Sequence, residues 1–239
     1  MTESADSADG ERIAKLIARA GLCSRRDAEA WIEARRVAVD GIVLSSPALR
    51  VRPGQRITVD GRPLPAPEAT RLFRYHKPKG VVTSARDPEG RATIYDTLPE
   101  GLPRLMPVGR LDISSEGLLL LTNDGALKQR LELPSTGWLR RYRARAFGEV
   151  DDRRLKALAQ GVTIDGIAYG PIEVRRVLEH VGLQVNRLIR MAYGPFQLGY
   201  LPKRSVEEVP PKVLREQVGA LVELTPHRRA TAATAATRG

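Results

Sequence analysis

The sequence predicts an α+β fold in two domains, in which a small domain of two helices and short strands precedes a larger domain with a mainly antiparallel mixed sheet. Three observations lead to this prediction. Apolar residues recur with helical spacing between positions 13 and 32, and their period changes to two after Arg36. Strand-like and helical runs alternate from residue 71 onward. A proline-rich stretch at residues 63–68 separates the two patterns.

The composition indicates a negatively charged partner. The 239 residues include 39 Lys and Arg against 28 Asp and Glu, which gives a formal net charge of +11. Arginine dominates the basic residues, and its planar guanidinium suits phosphate binding and base stacking better than lysine does. Nucleic acid is therefore the expected partner, rather than a basic surface that is merely solvated.

Cysteine content and hydropathy exclude several classes of protein. The single cysteine, Cys23, excludes a disulfide framework and a cysteine-rich zinc site, and it favours a reducing compartment. No apolar run approaches the roughly 18 residues that span a membrane, and the acidic residues 1–10 are unlike a signal peptide. We therefore expect a soluble, cytoplasmic protein.

The first domain is expected to cover residues 11–64, after a disordered stretch at residues 1–10. A first helix with one apolar face ends at Gly21, the usual position of a helix stop. Ser24 is predicted to cap a second helix. Asp27, three residues later, would complete a capping box with it.

Two short hairpins complete the first domain. Residues 37–43 and 57–61 alternate in polarity around the turns Asp40-Gly41 and Asp60-Gly61. Eleven basic residues against six acidic ones give residues 11–64 a net charge of +5. The prolines of the linker, residues 65–70, stiffen it, so the two domains should behave as tethered bodies.

The second domain is expected to cover residues 71–224. The apolar run from Leu118 to Leu121 is typical of a strand that is buried on both faces. An Ala/Thr-rich basic tail at residues 225–239 is expected to be disordered. Periodicity predicts further strands at residues 72–76, 81–84, 142–150 and 162–164, and helices at residues 126–131, 151–160 and 174–181.

The most informative stretch is residues 106–125, which place a lone Asp112 ahead of the apolar run. The flanking glycines, Gly109 and Gly117, let the backbone turn or approach another group closely. A carboxylate is thus held in a loop that is anchored to the core. Taken alone, an aspartate here could equally cap a turn through its own backbone.

The whole stretch favours a catalytic role. From Gly109-Arg110-Leu111-Asp112 to Leu121-Thr122-Asn123-Asp124-Gly125 it closely resembles the catalytic motif of the pseudouridine synthases that modify ribosomal RNA, in the branch with an N-terminal S4-type domain. The resemblance implies an S4-type RNA-binding domain, a pseudouridine synthase domain and Asp112 as the nucleophile. It is nearest to the branch that acts on the large ribosomal subunit. The sister branch that acts on the small subunit shares most of these motifs.

The implied reaction breaks the glycosidic bond of a uridine, rotates the uracil and rejoins it through carbon 5. No redox change occurs and no group is imported, so no cofactor is expected. The reaction needs a carboxylate that attacks the sugar or removes its 2′ proton, and the sequence leaves both roles open for Asp112. A cation should lie close, because burial favours the neutral acid. No metal is expected, because the histidines lack metal-ligand spacing: His76, His180 and His227.

The resemblance assigns three further catalytic residues. Arg175 supplies the cation, Tyr142 stacks on the target base, and Leu188 packs on the uracil. The uridine is expected to flip into the cleft between Asp112 and Tyr142. From the residues alone, Arg175 fits the polar face of an amphipathic helix equally well, and Tyr142 and Leu188 fit ordinary core positions.

Basic residues near these motifs are predicted to contact RNA phosphates, because ribosomal RNA is the implied partner. In the first domain they flank the second helix, where a charged, solvated helix pair without function is the alternative. In the second domain they bracket Tyr142, follow the first strand or precede Asp112. The full set is Arg25, Arg26, Arg35, Arg36, Lys77, Lys79, Arg110, Arg140, Arg141 and Arg143.

The sequence departs from the family's pattern before Val174. Members place a strand and a Glu-Gly-x-Asn-Arg turn ahead of the helix that supplies the arginine, whereas residues 169–173 run straight into Val174-Arg175-Arg176. That helix also lacks a Ser, Thr, Asp or Asn cap. The sequence therefore leaves open a catalytically impaired RNA-binding or ribosome-assembly protein, and a structural module that uses residues 11–64 alone. A monomer is the default.

Overall fold

The computed structural model describes residues 10–149, 162–164, 167–169, 178–179 and 182–225. These residues form two compact units. The first comprises residues 10–71, 123–125 and 223–225, and the second comprises the described residues from 72 to 122 and from 126 to 222. The stretches predicted to be disordered lie outside the described residues except for Gly10 and Thr225, and so does the helix predicted at residues 151–160.

The helices of the first unit begin and end where their sequence signals predict. Helix α1 is Ile13–Arg19 and helix α2 is Arg25–Glu33. The Ser24 side chain accepts a hydrogen bond from the Asp27 N–H, and the Asp27 carboxylate accepts one from the Ser24 N–H, both at 3.1 Å. The predicted capping box is therefore confirmed. The apolar faces of both helices are buried, which stabilises the unit by roughly 2 kcal/mol for each large aliphatic side chain.

Six short strands complete the first unit: β1 Glu11–Arg12, β2 Val37–Val39, β3 Ile42–Val43, β4 Arg50–Val51, β5 Ile57–Val59 and β6 Arg62–Pro63. Within the described residues, four of them form an antiparallel sheet in the order β3-β2-β5-β6. Both predicted Asp-Gly turns are present. Asp40 and Asp60 adopt φ values of 50° and 48°, followed by glycines at 83° and 75°, which is the conformation that a two-residue hairpin turn requires.

Two segments from later in the chain belong to the first unit. The Thr70 hydroxyl donates to Asp124 Oδ2 at 2.6 Å and accepts from the Thr225 N–H at 3.0 Å. The Arg71 N–H donates to Asn123 Oδ1 at 2.8 Å. The predicted linker is therefore tied down at its end by contacts that the sequence did not indicate.

The second unit contains the strands β7 Leu72–Lys77, β8 Met106–Val108, β9 Glu116–Thr122, β10 Arg140–Phe147, β11 Val162–Ile164, β12 Ile167–Tyr169, β13 Gln184–Tyr193, β14 Phe196–Gln197 and β15 Val206–Glu208. Its main sheet has the order β10-β13-β9-β7-β15, with β8 paired to β9 and β14 to β13, while β11 and β12 form a separate hairpin. The pair β9–β13 is parallel and the other described pairs of this sheet are antiparallel. The mainly antiparallel mixed sheet is confirmed.

Strand β9 is buried at every position, as the apolar run from Leu118 to Leu121 predicts. The strand predicted at residues 81–84 is wrong, because that segment forms a single bridge between Val82 and Thr93. Its Thr83 side chain bonds to the loop before Asp112 instead. The second unit contains helix α3, Gly125–Glu132, which matches the prediction, and helix α4, Pro211–Val218, which was not predicted.

Candidate active site

The loop that carries Asp112 is held through its backbone. The Gly109 N–H donates to Glu132 Oε1 at 2.6 Å. The Thr83 hydroxyl donates to the Leu111 carbonyl at 2.7 Å and accepts from the Leu111 N–H at 3.3 Å. Two parts of the fold, helix α3 and the segment around Thr83, therefore fix the residues that precede the carboxylate.

The turn after Asp112 is held by one hydrogen bond within the turn and by one from the turn that follows β7. The Ser115 N–H donates to the Asp112 carbonyl at 3.0 Å, and the Ile113 carbonyl accepts from the Gly80 N–H at 2.7 Å. The Asp112 side chain remains exposed. This differs from the expected buried carboxylate: in the free protein Asp112 is open to solvent and available to a ligand.

Lys77, at the end of β7, lies beneath this loop with 0% of its surface exposed. Its ammonium donates to the carbonyls of Asp112 and Ser115, both at 2.9 Å, and of Pro78 at 3.2 Å. Burial lowers the pKa of Lys77 from 10.5 to about 8, and the charge of Asp112 opposes that shift. The prediction that Lys77 contacts RNA is wrong, because its three donors are used inside the protein.

Arg190 in β13 is a second buried cation, with 2% of its surface exposed. Its Nε donates to the Leu118 carbonyl at 2.6 Å, and its Nη1 donates to the Arg110 carbonyl at 3.3 Å. The guanidinium lies 5.3 Å from the centre of the Tyr193 ring. Burial lowers the pKa of Arg190, and the nearby Tyr142 hydroxyl opposes that effect. Arg190 thus connects β9 to the catalytic loop and lies directly opposite Tyr142.

Strand register places Tyr142, Leu188 and Arg190 on one face of the sheet. Tyr142 lies directly opposite Arg190 in the β10–β13 pair, and Leu188 precedes Arg190 by two residues. Tyr142 packs against the core cluster that contains Leu111, the neighbour of Asp112. The two residues assigned to the target base therefore lie side by side near the loop, with Leu188 5% exposed.

Glu116 lies on the opposite face of the sheet, at the start of β9. It is 4% exposed, and its carboxylate pairs with Arg187 and, at 3.0 Å, with Lys203. The hydrogen bond from Arg187, supported by Lys203, lowers the pKa of Glu116 from 4.5 to about 2 against the effect of burial. Glu116 is therefore ionised throughout the physiological pH range.

Gly117 permits the close parallel pairing of β9 and β13. Its φ is +110°, and a Cβ atom there would lie 2.4 Å from the Arg190 carbonyl oxygen and 2.7 Å from the Arg190 nitrogen. Contacts this short are not possible for a real side chain. The close approach that Gly117 was expected to allow is therefore an approach to a neighbouring strand.

The arginines predicted to bind RNA in the first unit differ in availability. Arg36 donates to both Asp60 oxygens, at 2.9 and 2.6 Å, and stacks 4.8 Å above the Trp31 ring. The Asp60 hydrogen bonds raise the pKa of Arg36. Its fork is occupied, so the structure gives no support for Arg36 as a phosphate ligand. The remaining three are exposed: Arg25, Arg26 and Arg35.

The predicted arginines around Tyr142 do not form a free basic surface around its ring. Arg140 donates to the Tyr193 hydroxyl at 2.9 Å and lies 4.7 Å above that ring, which is an internal contact. Strand alternation directs Arg141 and Arg143 to the face opposite Tyr142, which corrects the expectation that they bracket the ring. Four members of the predicted set in this unit are exposed: Lys79, Arg110, Arg141 and Arg143.

Arg175 lies outside the described residues, as does most of the helix predicted around it. Two cations that the structure does place at the loop, Lys77 and Arg190, were not predicted for this role. A signal for Arg190 exists in the sequence, because the period-two pattern of β13 assigns it to the same buried face as Leu188, where an arginine is unusual.

Other kinds of site have no counterpart in the part of the chain that is described. No group of three or more His, Cys, Asp or Glu residues there is arranged to hold a metal ion. No helix there is both long enough and apolar enough to cross a membrane.

Comparison with known proteins identifies both units. The S4 domain model matches residues 11–63, and the RNA pseudouridylate synthase model matches residues 71–177. An RNA pseudouridine synthase of Rickettsia prowazekii (strain Madrid E), itself uncharacterized, is 39% identical over 231 residues, which covers 87% of this chain and 97% of the relative. The chain belongs to the RNA pseudouridine synthase family.

The synthase is also similar to ribosomal large subunit pseudouridine synthase B of two bacteria. The Haemophilus influenzae protein is 40% identical over 250 residues, covering 90% of the synthase and 70% of the relative. The Escherichia coli O157:H7 protein is 41% identical over 218 residues, covering 79% and 75%. A crystal structure of a pseudouridylate synthase matches the fold with a TM-score of 0.60 at 23% identity, covering 87% of the synthase and all of that chain. The synthase is thus an isomerase that acts on RNA, as predicted.

Proposed function

We propose that the synthase converts a specific uridine of large-subunit ribosomal RNA to pseudouridine, with Asp112 as the catalytic carboxylate. The observation that carries this proposal is the loop of Asp112, whose backbone is bonded to three elements while its side chain is exposed. Similarity to the large-subunit synthases B favours the large subunit over the small one.

The geometry suits a carboxylate that must remain ionised. Lys77 and Arg190 donate to carbonyls of the loop, so two positive charges lie beneath Asp112. When RNA covers the site and excludes water, these charges act on the loop in a medium of lower dielectric constant, where charge interactions are stronger. Asp112 then either attacks carbon 1′ of the ribose or removes the 2′ proton.

The reaction balances without a cofactor. The bond between carbon 1′ and N1 breaks, the uracil turns, and a bond forms between carbon 1′ and carbon 5. Carbon 5 loses a proton and N1 gains one, so the product is an isomer of the substrate.

We assign the remaining roles by placement and by family resemblance. The target uridine must leave the RNA stack, and Tyr142 and Leu188 are suited to receive the uracil because they share one face beside the loop. Arg190 lies directly opposite Tyr142 in the β10–β13 pair. Arg175 is retained as a cationic partner of Asp112 on the ground of resemblance alone.

The two units divide binding from catalysis in this proposal. Residues 11–64 act as the S4-type RNA-binding domain, with Arg25 and Arg26 on phosphates, and residues 71–224 act as the catalytic domain. We expect a monomer that works in the cytoplasm without a small-molecule cofactor.

The test is the variant Asp112→Asn, which removes the charge and preserves the size of the side chain. Wild type and variant are incubated with unmodified large-subunit rRNA transcript, and pseudouridine is mapped chemically. We expect one modified site with wild type and a rate at least about a thousandfold lower with the variant. The RNA dissociation constant should change by less than about twofold, because the carboxylate makes no phosphate contact. Glu100→Gln, which removes an exposed charge from the same unit, is the control and should leave the rate unchanged.

Three other outcomes are possible, and each would contradict a different part of the proposal. Pseudouridine formation by Asp112→Asn would contradict the assigned carboxylate. RNA binding without product by wild type would favour the catalytically impaired RNA-binding protein that the shortened segment before Val174 left open. Product on a small-subunit transcript alone would identify the sister branch.

A further inference from the structure

The face of the sheet opposite Tyr142 carries a cluster of basic side chains at the β10 edge. The register pairs Arg145 directly with Arg187, and Arg143 with Ile189. Ile189 is in turn level with Glu116, the residue to which Arg187 and Lys203 bind. Four cations, Arg143, Arg145, Arg187 and Lys203, therefore lie on one face, which we call the outer basic face.

The outer basic face is electrostatically unfavourable in the free protein. Like charges directly opposite each other in an antiparallel pair destabilise it, and Arg145 and Arg187 are such a pair. Glu116 neutralises one charge but is shared by Arg187 and Lys203. No carboxylate of the described residues forms an ion pair with Arg143 or Arg145. A bound polyanion would relieve this repulsion.

The shape of β10 suits an extended nucleic acid. β10 is the edge strand of the main sheet among the described residues, and Arg143 to Phe147 are exposed at every position. Side chains two residues apart stand about 6.7 Å from each other along a strand. Phe147, 74% exposed, shares the face of Arg143 and Arg145 and offers a ring on which a base can stack.

We propose that the outer basic face binds the phosphate backbone of the rRNA segment that flanks the target uridine. The RNA then crosses the β10 edge, with the target uridine on the Tyr142 face and the flanking segment on the opposite face. This inference rests on the proposed function in taking rRNA as the ligand, and it adds a second contact surface to the catalytic domain.

The experiment compares the full-length double variant Arg143→Ala/Arg145→Ala with the wild type. The dissociation constant for the large-subunit rRNA transcript is measured by filter binding at several salt concentrations. We expect it to rise about tenfold near physiological salt, and the slope of log K against log salt to fall in magnitude by about 1.4 to 1.8, as for the loss of two phosphate contacts.

The matched control is Lys212→Ala/Arg215→Ala, which removes the same charge from exposed positions of helix α4. It should change the dissociation constant by less than about threefold, because charges beyond a screening length of about 8 Å contribute little. A second variant, Arg143→Lys/Arg145→Lys, keeps the charge and should restore most of the salt slope. A melting temperature at or above that of wild type shows that the alanine variant is folded.

Two results would overturn the proposal: an unchanged dissociation constant and salt slope in the alanine variant, or an equal loss in the α4 control. The readout is binding rather than product. Failure of the wild type to form pseudouridine would therefore contradict the proposed function and leave this measurement interpretable.

Discussion

At the scale of single residues, the position of Asp112 depends on side chains that do not reach the surface. Lys77 and Arg190 bind carbonyl groups of the loop and leave the carboxylate itself exposed. Removing a donor from a buried carbonyl costs about 1 to 3 kcal/mol, because the group keeps its desolvation cost without a partner. The two cations therefore set the shape of the loop as well as its electrostatics.

Arg190→Lys should reduce turnover without abolishing RNA binding. A lysine lacks the planar guanidinium that donates to the Leu118 and Arg110 carbonyls together. We expect a single-turnover rate about 10- to 100-fold lower and a free energy of unfolding about 2 to 4 kcal/mol lower. Quench-flow kinetics and urea denaturation measure the two effects.

The control is Arg74→Lys, the same change in a partly buried strand arginine. Arg74 bonds to Gln197 and Glu207, and the variant should keep the wild-type rate. A wild-type rate in Arg190→Lys would show that this arginine does not position the site.

The ion pairs of Glu116 should make the free energy of unfolding depend on pH in the acid range. Its pKa in the folded protein is about 2, below the ordinary value of 4.5, so the unfolded chain binds the proton more tightly. The resulting stabilisation is fully present above pH 4.5 and is lost as the pH falls towards 2. We expect it to contribute about 1 to 2 kcal/mol, less than full linkage implies, because Arg187 and Lys203 are partly exposed.

The measurement is the urea midpoint of wild type and Glu116→Gln between pH 2 and 7. The difference between the two proteins should shrink as the pH falls below 4.5. A difference that stays constant over this range would mean that the pairs contribute nothing through ionisation of Glu116.

At the scale of elements, β9 organises the catalytic unit. It is buried throughout, pairs with β7, β8 and β13, and begins directly after the loop of Asp112. Gly117 is where the parallel neighbour comes closest. The strand that holds the loop in place therefore depends on the absence of a side chain at this position.

Gly117→Ala should destabilise the protein strongly. The added Cβ would lie 2.4 Å from the Arg190 carbonyl, so β9 and β13 must separate. We expect a loss of about 3 to 5 kcal/mol in the free energy of unfolding. Gly101→Ala is the control: its φ is +80° but nothing lies within 4 Å, so it should cost only about 1 to 2 kcal/mol of backbone strain. Thermal melts of both variants measure the two losses of stability. Equal losses would show that the contact with β13 is unimportant.

At the scale of the whole molecule, a net charge of +11 makes RNA affinity depend on salt, and exposed cations occur in both units. Each phosphate contact adds about 0.7 to 0.9 to the slope of log K against log salt. The change in slope on substituting arginines of one unit therefore measures how many of them contact RNA phosphates.

Arg25→Ala/Arg26→Ala tests the first unit in the full-length protein. Both side chains are exposed at the start of α2, so the change should leave folding intact. We expect weaker rRNA binding and a slope reduced in magnitude by about 1.4 to 1.8, with turnover at saturating RNA unchanged. Filter binding with and without the substitutions measures this. An unchanged slope would mean that RNA does not contact this end of α2.

Much of the fold was predictable because its signals are local. The capping box of Ser24 and Asp27, the two Asp-Gly turns and the apolar run of β9 each occupy a few consecutive residues, and each is present in the structure. The motif around Asp112 is also contiguous, which is why the family could be recognised from the sequence. Such features depend on short-range sterics and hydrogen bonding that any neighbouring structure preserves.

By itself, the sequence determined the family, the two kinds of domain and Asp112 as the candidate carboxylate. Only the tertiary structure decided that Lys77 is buried beneath the loop, that Arg190 donates to the loop from a position opposite Tyr142, and that Arg145 is paired with Arg187. The reason is separation along the chain: Lys77 and Asp112 are 35 residues apart, and Arg190 and Arg110 are 80 residues apart. Strand order and register bring such pairs together, and no local pattern specifies them.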